Sequence, residues 1–168
     1  TIHGCKFLNI ANSSITVIGN KITIYITDSL FLSCNGLNDP LFKINTIHHL
    51  MITHTCISNI TSTTSTCILL ANYQSREFCI FLYNTIVNSG RDNEPRGMFN
   101  FVIRNCDSNF KCNNITKSRA TAFQFDVIGA FTFTMNTIND CYGRCFEFNG
   151  GINNNIIPGP KFIDHVNF

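Results

Sequence analysis

A short apolar segment recurs roughly every two dozen residues, and this internal repeat restricts the fold more than any other feature of the sequence. Apart from Thr16, the second and fourth positions of each copy are large apolar residues, and the third position is often polar, as in Phe42-Lys43-Ile44. Such period-two alternation is typical of a β-strand with one buried face. The copies are Ile15–Ile18, Leu41–Ile44, Cys67–Leu70, Met98–Phe101, Ala122–Phe125 and Cys145–Phe148.

A second column of aliphatic residues repeats with a similar spacing, and looser strands lie between the two columns in several repeats. Three short strands per repeat predict an all-β chain, folded as a right-handed parallel β-helix (a β-solenoid) of about seven coils with three short strands each. We expect one β-helix domain over residues 1–168, as a segment of a longer protein. The aliphatic column comprises Leu8, Leu32, Ile57, Ile86, Ile115, Ile138 and Ile163, and the looser strands are Ile22–Ile26, Leu50–Thr53, Phe78–Leu82 and Ala130–Thr134.

Other repeat architectures fit the sequence less well. Helical repeats of this length need 3.6-residue periodicity and good helix formers, and the chain lacks both. A β-sandwich or barrel also has many short strands, but it would not place the same type of side chain at the same phase of every third strand.

Stacked coils would bring equivalent side chains of successive repeats one above another, at about the 4.8 Å spacing of neighbouring strands. The repeat therefore predicts an interior ladder of large apolar residues. It also predicts an asparagine ladder at an inward bend, because three asparagines precede the aliphatic column by two residues; chance in an asparagine-rich chain is the alternative. The apolar ladder comprises Phe42, Ile68, Phe99, Phe123 and Phe146, and the asparagine ladder comprises Asn84, Asn113 and Asn136.

The pattern resembles that of right-handed parallel β-helix repeat proteins, the pectin-lyase-like fold, over essentially the whole chain. Within that group, the strand ends at Phe7–Ile10, Cys56–Asn59 and Thr85–Asn88 resemble repeats of surface adhesins such as the polymorphic membrane proteins. The resemblance implies a structural or adhesive role for the chain. It also implies a possible relationship to polysaccharide lyases and hydrolases, which share the fold.

The motifs of a pectic hydrolase are absent: Asn45, Asn84 and Asn136 each begin an Asn-Thr-Ile where the family pattern has Asn-Thr-Asp. The best catalytic arrangement comes from repeat register. Lys117, Asp140 and His165 occupy equivalent places after the aliphatic column, so stacking would bring a cation, an acid and a base together. The alternative is an ordinary charged turn in solvent.

We expect no metal and no cofactor. Two groups of residues offer side chains that bind metal ions, but each group also fits a polar or acidic turn. The first group is His48, His49 and His54, and the second is Asp92 with Glu94. The nine cysteines form no CxxC pair, and most suit small buried positions. In a secreted chain, Cys106 with Cys112 and Cys141 with Cys145 would close small disulfide loops.

Three sequons suggest N-glycosylation, at Asn12, Asn59 and Asn114, provided that the chain passes through a secretory pathway. Together with the cysteines they favour an extracellular or cell-surface location; an intracellular assembly is the alternative. Twelve Lys and Arg against ten Asp and Glu leave a net charge of +2, and the absence of Trp and of a basic stripe argues against nucleic-acid binding. No apolar run is long enough for a transmembrane segment.

The sequence thus predicts a non-enzymatic structural or adhesive segment that presents loops to a protein or glycan partner. A carbohydrate-active enzyme of the same fold is the first alternative, and a component of a fibrous or cytoskeletal assembly is the second. Because a β-helix ends in open strand edges, we expect neighbouring coils of the same or another chain at its ends.

Overall fold

The computed structural model shows an all-β chain in which every strand pairing is parallel. It describes residues 1–11, 14–19, 22–36, 39–45, 48–62, 66–90, 99–119, 121–126, 130–141, 146–149 and 161–167. The strands are β1 (Ile2–His3), β2 (Lys6–Leu8), β3 (Ile15–Ile18), β4 (Thr23–Thr27), β5 (Leu30–Leu32), β6 (Asn35–Gly36), β7 (Phe42–Asn45), β8 (His49–Thr53), β9 (Cys56–Ser62), β10 (Thr66–Leu82), β11 (Thr85–Ser89), β12 (Phe99–Lys111), β13 (Asn114–Thr116), β14 (Thr121–Asp126), β15 (Phe131–Thr134), β16 (Thr137–Asn139), β17 (Phe146–Asn149) and β18 (Lys161–Asp164).

These strands stack on three faces, and the predicted class, an all-β parallel β-solenoid, is confirmed. Face 1 contains β3, β7, the first half of β10, the first half of β12, β14 and β17. Face 2 contains β1, β4, β8, the second halves of β10 and β12, β15 and β18. Face 3 contains β2, β5, β9, β11, β13 and β16.

Two coils depart from the expected three short strands, because β10 and β12 each run from face 1 to face 2 without interruption. The two strands pair along both faces, with a register shift between Asn72 and Glu77 where the chain turns from one face to the other. Faces 1 and 2 are consequently joined into one 11-stranded sheet.

The register on face 1 differs from the predicted apolar ladder at two places. Leu69, and not Ile68, pairs with Phe42, and Phe101, and not Phe99, is the next member. The pairing of β10 with β12 is irregular between Thr66 and Leu69, so that Phe99 pairs with Thr66 and Phe101 pairs with Leu69. The row that results on this face is Ile15, Phe42, Leu69, Phe101, Phe123 and Phe146.

The interior is filled by apolar side chains that stack from coil to coil. The rings of Phe81 and Phe110, on successive strands of face 2, lie parallel at a centroid distance of 4.7 Å. Phe7 and Phe31 repeat this geometry on face 3, again at 4.7 Å. Because this separation matches the strand spacing, ring stacking and backbone pairing reinforce each other along the axis.

Two corners turn the chain by means of residues with positive φ. The first corner joins face 2 to face 3, and the second corner follows face 3. An L-residue in this left-handed region costs about 1–2 kcal/mol, so each corner needs compensating interactions. The first corner contains Gly4, Asp28, His54, Tyr83, Cys112, Met135 and His165; the second contains Asn9, Ser33, Asn59, Asn88, Lys117 and Asp140.

The first corner has a constant length. Ile26 on face 2 and Phe31 on face 3 are five positions apart and both are buried, and Ile52 with Ile57 shows the same spacing. The pairs Phe81–Ile86, Phe110–Ile115 and Phe133–Ile138 repeat it in the following coils. This invariance keeps faces 2 and 3 in the same rotational phase along the solenoid.

Candidate functional site

A ladder of buried asparagines runs along the inner side of the first corner. Asn84 Nδ2 donates to Asn113 Oδ1 at 3.0 Å, and Asn113 Nδ2 donates to Asn136 Oδ1 at 2.9 Å. Asn84 Nδ2 and Asn113 Nδ2 also donate to the backbone carbonyls of Ile52 and Phe81. All three asparagine side chains are at least 97% buried, so these bonds lie where water does not compete.

The ladder continues toward the start of the chain with hydroxyl side chains. Asn84 Oδ1 accepts the backbone N–H of Thr55, and the Thr55 hydroxyl donates to the carbonyl of Thr53. One coil earlier, the buried Ser29 hydroxyl donates to the carbonyl of Thr27. Buried polar side chains therefore satisfy backbone groups at successive turns of the first corner, which offsets part of the cost of the positive φ values.

The proposed catalytic group is not assembled. Lys117 and Asp140 are exposed on successive coils of the second corner, where the Lys117 N–H donates to the carbonyl of Asn139. His165 lies in the first corner, on the coil after Met135, and its Nδ1 is 2.6 Å from Asp164 Oδ2. The prediction that stacking unites the three is wrong, because Lys117 and His165 follow different faces of the solenoid.

The three histidines weighed as a metal site separate into two groups. His48 and His49 have ring centroids 3.8 Å apart, and His49 is 5.5 Å from the ring of Phe78. His54 lies in the first corner and stacks on Tyr83 at 5.1 Å. Over the ranges that the structure describes, no group of three or more His, Cys, Asp or Glu side chains is arranged to hold a metal ion. Asp92 and Glu94 lie outside the described residues.

Cys106 and Cys112 are both free thiols and are not joined to each other. Cys106 is buried and contacts the Ser108 hydroxyl, whereas Cys112 takes a positive-φ position in the first corner. Burial raises the pKa of the Cys56 thiol. The predicted pairing of Cys141 with Cys145 involves a residue, Cys145, that lies outside the described residues.

Two of the three sequon asparagines are exposed. Asn59 lies in the second corner, where its Oδ1 accepts a hydrogen bond from Asn88 Nδ2 at 2.8 Å. Asn114 begins β13 on face 3 and points outward between the buried Asn113 and Ile115. Asn12 falls outside the described residues.

An exposed aromatic and apolar surface lies on the outer side of face 2, across β4, β8 and the second half of β10. Tyr25, Met51 and Ile80 occupy one register position of successive strands, and His49 and Phe78 occupy the position two residues earlier. We call these five residues the aromatic patch. Tyr25 is 44% exposed and Phe78 is 49% exposed, which is unusual for rings in the middle of strands.

The patch has a second aromatic element at its side, and Asp107 lies at one edge as the register partner of Phe78. The stacked rings of His54 and Tyr83 follow the same strands at the first corner, and Tyr83 is 52% exposed. Along the axis, the row of Met51 and Ile80 continues into the polar residues Asn109 and Thr132. The patch spans three strands, which lie about 4.8 Å apart, and about five residues along each strand, at a rise of about 3.3 Å per residue. These dimensions give the patch a flat area on the order of 200 Å².

The sequence contains a partial signal for this patch. In Ile22-Thr-Ile-Tyr-Ile26 the alternation with Ile24 and Ile26 places Tyr25 on the outer side. The sequence does not reveal that Phe78 lies two strands away and beside His49, because that requires the register between coils.

In a comparison with known proteins, no protein-family model, no curated protein sequence and no solved structure matches the chain. The fold is therefore established from the strand register alone. Within the described residues, no helix is long and apolar enough to span a membrane.

Proposed function

We propose that this chain is a non-enzymatic, structural or adhesive β-solenoid segment of a surface or extracellular protein, and that it binds an uncharged glycan through the aromatic patch. The observation that carries the proposal is the exposure of Tyr25 and Phe78 on one flat face. Stacked coils hold the backbone beneath the rings rigidly, so binding orders few groups and loses little conformational entropy.

The chemistry around the patch favours a neutral sugar chain over a peptide. Thr23 pairs with His49, and Asn109 and Thr132 continue the row of Tyr25, Met51 and Ile80, so hydroxyl and amide groups without charge lie along the patch. The charged neighbour is Asp107, which pairs with Phe78 and accepts the backbone N–H of Ala130 at one carboxylate oxygen. A sugar ring presents a C–H face that packs on an aromatic ring and hydroxyls that need donors and acceptors. A peptide would require pockets for its side chains or a free strand edge, and a flat face in mid-sheet provides neither.

The arrangement of titratable groups supports a non-enzymatic role. Separation of His165 from Lys117 and Asp140 removes the acid–base group on which the enzymatic alternative depended. If the chain nevertheless cleaves a polyuronide and the Asp140→Ala variant does not, the non-enzymatic proposal is refuted.

The binding proposal is tested by affinity electrophoresis of the folded chain in gels containing neutral polysaccharides, with polygalacturonate as the acidic comparison. Tyr25→Ala and Phe78→Ala should each weaken binding about tenfold, because each removes an aromatic stacking surface. Phe162→Ala is the matched control: Phe162 is 55% exposed in the same outward row as Tyr25 but beyond Asn109 and Thr132. It should bind as the unaltered chain does.

Two results would contradict the glycan proposal. One is the absence of retardation by every neutral polysaccharide. The other is binding that persists in Tyr25→Ala and Phe78→Ala or that disappears with added salt, since salt screens charge interactions and leaves stacking intact.

An extracellular location implies that the exposed sequons are modified. We propose N-glycosylation at Asn59 and Asn114, which point into solvent, and also at Asn12. Mass spectrometry of the protein from its native source should show peptides carrying a glycan at Asn59 or Asn114. Unmodified peptides at all three sites would favour the intracellular assembly instead.

The terminal strands are the proposed sites of contact with further coils. On face 2, β1 pairs with β4 and β18 pairs with β15, and each has its other edge at an end of the described stack. Open strand edges add further strands readily, so coils of the same or another chain would extend the column. This surface would also serve the fibrous-assembly alternative.

A further inference from the structure

A cavity of about 240 Å³ lies inside the first two coils, next to the second corner. Its inner wall is formed by Phe31, Cys34 and Leu41, all of which are buried. Phe7, Ile10 and Ile15 form its rim and are partly exposed, so a small molecule has a route from solvent.

The polar groups in the wall already have hydrogen-bond partners. The Ser14 hydroxyl is 3.1 Å from Thr16 Oγ1, and the Cys34 thiol donates to the backbone carbonyls of Phe7 and Leu32. Among the described residues that line the space, none carries a charged side chain. A polar or charged ligand would therefore lose its hydrogen bonds to water without gaining new ones in the cavity, whereas an apolar ligand has no such hydrogen bonds to lose.

We propose that this cavity is a binding site for a small, uncharged, apolar molecule, either a single aromatic ring or a short alkyl chain. An apolar cavity of about 150 Å³ lined by Leu, Ile and Phe is large enough for benzene, so this one accommodates a substituted ring. The wall also offers aromatic surface, because the lining residues Phe7 and Phe31 have parallel rings at a centroid distance of 4.7 Å.

The site is independent of glycan binding. The cavity is lined by residues of faces 3 and 1 and of the bend between them, and it shares no residue with the aromatic patch on the outer side of face 2. Loss of one activity would leave the other unchanged.

A methyl NMR titration of the folded chain with benzene tests the proposal directly. Saturable one-to-one shifts are expected for the methyls of Ile10, Ile15 and Leu41, and none for Ile115 in a distant coil. We expect a dissociation constant of about 0.1–1 mM, given the few atoms of the ligand. Phenol, which has nearly the same size, should bind about tenfold more weakly, because its hydroxyl is buried without a partner.

Two variants separate occupancy of the cavity from general surface binding. Ile10→Phe places a ring at the rim and should weaken benzene binding at least tenfold, whereas Ile2→Phe adds the same ring to the first coil outside the cavity and should have no effect. The titration of the unaltered chain stands even if Ile10→Phe fails to fold. The proposal is overturned if the shifts do not saturate, if they spread equally to Ile115, or if folded Ile10→Phe binds benzene unchanged.

Discussion

Replacement of Asn113 by alanine should be among the most destabilising single changes in this chain. Its side chain accepts two hydrogen bonds at Oδ1, from the backbone N–H and the Nδ2 of Asn84, and donates two from Nδ2, to Phe81 O and Asn136 Oδ1. In the variant, Asn84 Nδ2 keeps its hydrogen bond to the carbonyl of Ile52, and Asn136 Oδ1 still accepts a hydrogen bond from the backbone N–H of residue 113.

The backbone N–H of Asn84 is left without its acceptor inside the corner. A buried donor in that state costs about 1–3 kcal/mol, and each lost bond between groups that keep another partner contributes about 1 kcal/mol or less. We therefore expect Asn113→Ala to lower the free energy of unfolding by about 3–5 kcal/mol.

The measurement is equilibrium urea denaturation followed by far-ultraviolet circular dichroism, with Asn109→Ala as control. Asn109 is exposed on face 2, so its replacement should change the free energy of unfolding by no more than about 0.5 kcal/mol. Equal effects of the two variants, or a loss below about 1 kcal/mol for Asn113→Ala, would show that the buried ladder does not hold the corner together.

Three further outcomes follow from the structure. Met135 is exposed and has φ 55°, a left-handed backbone conformation that strains most L-residues but that asparagine adopts more easily. In thermal unfolding, Met135→Asn should stabilise the chain by about 0.5–1 kcal/mol, and Met135→Val should destabilise it by at least as much. Shifts of the same sign for the two variants would contradict the strain argument. Phe110→Ala should cost about 3–5 kcal/mol in urea, because it empties a buried stack, and a loss below about 1 kcal/mol would mean that the stack repacks. Burial raises the pKa of the Cys56 thiol, so the folded chain retains a proton that the unfolded chain loses as pH rises, and the resulting stabilisation is present below the unfolded pKa and is lost as pH rises through the folded pKa. Maleimide at pH 8 should therefore modify exposed Cys5 about tenfold faster than Cys56. Equal rates of modification would contradict this prediction.

The class of fold was predictable because burial alternates visibly along each strand. In Phe42-Lys43-Ile44 the buried and half-buried positions follow the apolar and polar residues one by one. Register was less accessible where apolar residues crowd together. Ile68 and Leu69 are both fully buried, so their apolar character does not indicate which of them pairs with Phe42.

The candidate site was predictable in part for a related reason. Both corners place a residue of positive φ after a short strand, so the spacing of the repeats does not distinguish the two corners. The spacing therefore places His165 in the second corner, whereas the structure places it in the first. The outward direction of Tyr25 is visible in the sequence. Its proximity to Phe78 is not, because chain segments of variable length separate their strands.

The constant five-residue span of the first corner limits how such a chain can grow. One added residue there would turn every later side chain of the following strand to the opposite side, and Ile57 or Ile115 would be driven into solvent. Duplication or loss of a complete coil preserves that span and only lengthens or shortens the column. Variation during evolution, and any peptide grafted by an engineer, should therefore accumulate at the other two bends and leave this one untouched.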